Sequence, residues 1–110
     1  MKAGEFMLVS IREILQRPEG REGWLYLPAK PWTLDTSGAF VVLDKDAPPD
    51  ADPRPDIVKA GSWTEVLDAP GIEDIVENAR AQLVAPTIDD LLAAFLFYVE
   101  RDAFIIFDKN

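Results

Sequence analysis

Thr87-Ile88-Asp89-Asp90-Leu91-Leu92-Ala93-Ala94-Phe95-Leu96-Phe97-Tyr98-Val99-Glu100-Arg101 is the stretch on which the fold turns. Thr87 is a favoured N-cap residue and Asp90 stands at the third helical position. Asp89 and Asp90 lie near the positive end of the helix, and Arg101 near the negative end. On a helical wheel Ile88, Leu91, Leu92, Phe95, Leu96 and Val99 form a broad apolar face, while Ala93 and Phe97 fall beside Asp90, Glu100 and Arg101. Phe97 gains nothing from facing water. Either this helix is sandwiched inside the fold, or Phe97 marks a contact with a partner or a second copy.

Immediately after this helix, Asp102-Ala103-Phe104-Ile105-Ile106-Phe107 reads as a closing strand that returns to pair with a central one. Upstream, Ile72, Ile75, Val76, Ala79 and Leu83 share one face of an amphipathic helix, with Glu73, Asp74, Glu77, Asn78 and Gln82 elsewhere on it. Ser62-Trp63-Thr64-Glu65 has the capping-box pattern and predicts one helical turn through Leu67. Ile57-Val58-Lys59 predicts a short strand.

The N-terminal half has a different texture. Ser10-Ile11-Arg12-Glu13 predicts a short helix carrying Ile11, Ile14 and Leu15, which Pro18 and Gly20 end. Trp24-Leu25-Tyr26-Leu27 is a short strand closed by Pro28. Trp32-Thr33-Leu34 and Ala39-Phe40-Val41-Val42-Leu43 flank Asp35-Thr36-Ser37-Gly38, whose composition suits a type I turn and predicts a hairpin with 39–43 central. Strands gathered early and helices gathered late predict an α+β fold: a small antiparallel or mixed sheet with about three helices packed on one face.

The chain has 110 residues, 48% of them hydrophobic, enough for one core, so residues 7–110 are read as a single α+β domain. Met1 to Phe6 are set aside as a vector-derived or unstructured extension, because Met7 is a second methionine and Glu5-Phe6 is what a common cloning site encodes. The longest apolar run is Leu91–Val99, far short of the roughly 18 residues of a membrane span. With no cysteine and no secretory pattern, the expected location is the cytoplasm.

With neither cysteine nor histidine, triads built on either residue and histidine- or cysteine-ligated zinc are excluded. Carboxylate chemistry remains, as acid and base or around magnesium, from pairs such as Glu73/Glu77, Asp74/Glu77 or Asp89/Asp90; solvated helix faces and helix starts explain the same pairs. Asp44, Asp46 and Asp50, or Asp50, Asp52 and Asp56, have the first spacings of a calcium loop. Pro49 and Pro55 take the glycine position, and Pro55 and Gly61 the position of the bidentate glutamate. No metal, cofactor or catalytic residue is therefore assigned.

Arg12, Arg17, Arg21 and Lys30 form the locally basic stretch, where a small anion site is conceivable without a phosphate-binding loop. Charge is lopsided: residues 1–61 hold ten acids and eight bases, net −2, whereas residues 62–110 hold ten acids and three bases, net −7. The total of −9 repels phosphate backbones and anionic membranes, so neither nucleic acid nor membrane is expected as a partner.

Trp24-Leu25-Tyr26-Leu27-Pro28, together with Ala94-Phe95-Leu96-Phe97-Tyr98 and Arg101-Asp102-Ala103-Phe104-Ile105, resembles a small, functionally uncharacterised bacterial domain family of about this length. The resemblance covers most of the chain after Met7. It implies no catalytic residue; small acidic proteins of this kind often look like cargo of mobile elements or immunity-type inhibitors, an association of size and charge.

The sequence thus predicts a non-enzymatic acidic interaction module, immunity-like or regulatory, that meets a basic protein surface through Glu65, Asp68, Glu73, Asp74 and Glu77, with Phe97 as apolar anchor. A homodimer binding a small molecule in a pocket lined by Trp24, Tyr26, Trp32 and Trp63 is the first alternative. A carboxylate- or magnesium-dependent enzyme is the second.

Overall fold

A computed structural model describes residues 5–42 and 54–107. Its elements in chain order are β1 (Glu5–Ser10), α1 (Ile11–Gln16), β2 (Trp24–Leu27), β3 (Ser37–Val42), α2 (Asp56–Ala60), β4 (Thr64–Asp68), α3 (Ala69–Gln82) and α4 (Ile88–Arg101). The four strands form one antiparallel sheet in the order β1-β3-β2-β4, so the apolar run through Val41 and Val42 is an inner strand, as its composition predicts.

Side chains alternate across the sheet and divide its two faces. Val9, Leu25, Leu27 and Phe40 point to one side, where α1, α3 and α4 cover them. α1 adds Ile11, Ile14 and Leu15, α3 adds Ile72, Ile75, Val76 and Ala79, and α4 adds Leu91, Ala94 and Phe95. This is the α+β arrangement expected, with three helices on one face. On the opposite face Phe6, Val41 and Trp24 stand in one cross-strand row, and Leu8, Ala39, Tyr26 and Glu65 in the next.

The helices that the sequence marks most clearly are the ones best capped. At α4, the Asp90 amide donates to Thr87 Oγ1 at 3.1 Å while Asp90 accepts from the Thr87 amide at 2.9 Å, a complete capping box. Ser10 Oγ accepts from the Glu13 amide and starts α1.

Several expectations fail, each for a tertiary reason. Trp32–Leu34 does not form a hairpin with 39–43: the turn closes from Thr36 back to Thr33, and the carbonyls of Leu34 and Thr36 accept from Arg12 and Ile11. That leaves β3 to pair with β1 and β2. β1 pairs along its length with β3, from Glu5 opposite Val42 to Ser10 opposite Ser37.

Ile57-Val58-Lys59 lies in the one-turn helix α2 behind Pro55, with Val58 fully buried. Ser62-Trp63-Thr64-Glu65 starts no helix; Ser62 takes φ +55 and the chain enters β4, whose pairing with β2 outweighs the local capping pattern.

The closing strand is also absent. Asp102 adopts the left-handed conformation and ends α4, and the chain beyond it finds a side chain where a strand was expected. The Gln82 amide donates to the Ile105 carbonyl at 2.7 Å and accepts from the Phe107 N–H at 3.0 Å. Ile105 and Phe107 pack on the core while Phe104 and Ile106 face outward.

Candidate functional site

The outer side of α3 is built by its own periodicity. With Ile72, Ile75, Val76 and Ala79 buried, Glu73, Asp74 and Glu77 are forced to the solvent side, with Glu77 three and four residues from the other two and therefore on the same face. None of the three has an ion-pair partner among the described residues. Arg80, the nearest cation in sequence on this helix, pairs instead with Glu19 at 3.5 Å.

The other two acids of the expected surface are differently placed. Asp68 ends β4 and is the N-cap of α3: its carboxylate accepts from the Gly71 amide at 3.1 Å and is half-buried. Asp68 is therefore a cap as well as a surface charge, and Asp68-Ala69-Pro70 carries the signal for it, a cap residue followed by proline in the first turn. Glu65 is exposed on β4, where it accepts from the Tyr26 hydroxyl at 3.4 Å.

Phe97 is half-buried on the flank of α4 with the Arg101 guanidinium 5.7 Å from its ring centre. It is outside the central core, which Leu92, Leu96 and Val99 of the same helix do reach.

The four aromatic residues do not converge. Trp32 belongs to the helix-covered side, where its ring lies 6.4 Å from that of Phe95 and its indole N–H donates to the Pro28 carbonyl at 2.7 Å. Trp24 and Tyr26 alternate with the core residues Leu25 and Leu27 and so face the other way. Trp63 is half-buried beside Gly61, where a Cβ would strike the indole ring.

Among the described residues no group of three or more acidic side chains is placed to hold a metal ion. The aspartates at 44, 46, 50 and 52 lie outside the described residues; Asp56 starts α2 and pairs with Lys59 at 3.7 Å.

One family model, a domain of unknown function, DUF7716, matches residues 8–107. The chain belongs to this family. Both stretches that carry the resemblance noted in the sequence fall inside the match, and in this DUF7716 domain they are β2 and the run from α4 into the Gln82-tied segment. No curated protein and no solved structure shows significant similarity to the chain. No helix of this DUF7716 domain is long and apolar enough to cross a membrane, among the described residues.

Proposed function

We propose that this DUF7716 domain is a non-enzymatic interaction module that binds a basic protein surface through the outer side of α3. The observation that carries this reading is the uncompensated trio Glu73, Asp74 and Glu77. Like charges three and four residues apart cost a helix a few tenths of a kcal/mol per pair. Nothing among the described residues offsets that cost, since Arg80 is drawn away to Glu19. A cationic partner would relieve the repulsion, and complementary charge would also speed encounter and fix partner choice.

Asp68 is withdrawn from this surface by its capping role, and Glu65 flanks it on β4 with one oxygen engaged by Tyr26. Phe97 supplies a half-exposed ring on a neighbouring helix. Binding of a basic protein is what an immunity-like inhibitor or a regulatory subunit would do, and the cytoplasm is the compartment that suits a chain without cysteine.

Affinity capture with the wild-type domain and with E73Q/D74N/E77Q tests the reading, with captured proteins identified by mass. A basic partner retained by the wild type, released by about 0.3 M salt and lost from the neutralised variant supports it. Capture of the same partners by both proteins refutes it.

A further inference from the structure

Of the cations in the basic stretch, Arg21 is held in an unusual way. Arg12 forms a surface pair with Asp35 at 3.2 Å, and Lys30 lies over the Trp32 ring. The Arg21 side chain is only 14% exposed. Its Nε donates to the Arg17 carbonyl at 2.9 Å, its Nη2 to the Glu13 carbonyl at 3.5 Å, and the guanidinium stands 5.7 Å above the Phe40 ring. The Glu13 carboxylate reaches Nη2 only at 3.7 Å and is mostly in water. Nη1 has no acceptor among the described residues.

That guanidinium forms one wall of an open cleft of about 260 Å³. Its apolar walls are Met7 of β1 and Phe40 and Val42 of β3, with Phe6, Gly20 and Glu22 completing the lining. A cleft of this size suits a ligand on the scale of an aromatic ring with a short arm. A mostly apolar cleft with one fixed, partly desolvated cation is the usual form of a small-ligand site. The planar fork of arginine suits a carboxylate. Glu22 in the lining and the net charge of −9 select against a second negative charge on the ligand.

We propose that this cleft binds a small apolar monocarboxylate, its carboxylate on Nη1 of Arg21 and its hydrocarbon against Met7, Phe40 and Val42. The site is independent of the acidic side of α3, and each stands or falls alone.

The probe is 3-phenylpropionate titrated into the ¹⁵N-labelled domain, compared with its uncharged amide, 3-phenylpropanamide. Saturable shifts are expected at the amides of Met7, Gly20, Arg21, Glu22 and Val42, with the amide ligand about tenfold weaker because it lacks the charge. R21K weakens binding several-fold, since an ammonium lacks the fork, and R21M abolishes it. Equal binding of acid and amide to the wild-type protein overturns the proposal, a comparison that requires no variant to fold. So does a set of shifted amides elsewhere, or no saturation at concentrations on the order of 10 mM.

Discussion

Removing the Gln82 side chain amide should detach the end of the chain while leaving the rest of the fold in place. In Q82A two part-buried hydrogen bonds to the backbone vanish, one from the amide to the Ile105 carbonyl and one from the Phe107 N–H. At about 1 kcal/mol each the loss is about 2 kcal/mol. Alanine returns a few tenths through its higher helix propensity. The bond from Gln82 to Asn78 is a neighbour contact within α3 and adds little.

A net loss near 2 kcal/mol lowers the melting midpoint by roughly 8 °C in a chain of this size. Circular dichroism reads the midpoint and hydrogen exchange reads the place: Phe107 loses amide protection while the amide of Phe95, in the middle of α4, keeps it. Q82E sharpens the test, because a carboxylate still accepts from the Phe107 N–H but has nothing to donate to the Ile105 carbonyl. It should fall below alanine, because a carboxylate oxygen is then set against the Ile105 carbonyl oxygen where the amide had donated. A Q82A protein within about 0.5 kcal/mol of wild type, with the Phe107 amide still protected, would show that Gln82 does not hold the end of the chain.

F95A removes a ring that is 1% exposed and meets Trp32, and should cost about 3 to 5 kcal/mol in denaturant unfolding, while F95L costs under about 1.5. T87A removes the Oγ1 that accepts from the Asp90 amide and should cost about 1 kcal/mol; D90A removes the other bond of the box, the one from the Thr87 amide, and in a double-mutant cycle the two losses are less than additive because each bond holds the cap geometry that the other needs. Gly20 and Gly23 both have positive φ, but a methyl at Gly20 meets open space whereas at Gly23 it strikes the Val41 carbonyl. G20A should therefore cost about 1 kcal/mol by melting and G23A clearly more, and equal losses would contradict this placement.

Much of the candidate surface is legible along the chain. Burial of Ile72, Ile75, Val76 and Ala79 forces Glu73, Asp74 and Glu77 outward by helical period alone, so the acidic trio is readable without coordinates. The cleft is not readable, because strand pairing sets Met7 beside Phe40 and the loop between α1 and β2 brings Arg21 over them, neither of which is local in sequence. Trp24, Tyr26, Trp32 and Trp63 mislead for the same reason: a list of aromatics carries no information about which side of a sheet each one takes.

Local sequence is enough for what depends on neighbours within a turn: the capped helices α1 and α4, the buried stripe of α3, the inner strand at Phe40–Val42, and the absence of cysteine and histidine chemistry. Tertiary structure alone decides what depends on distant partners. β4 forms because β2 offers it an edge, Trp32–Leu34 turns toward α1, and Ala103–Phe107 is held by Gln82 because a side chain amide reaches its backbone groups. Helical hydrogen bonds close within four residues, whereas the partners of an extended chain lie anywhere in the sequence.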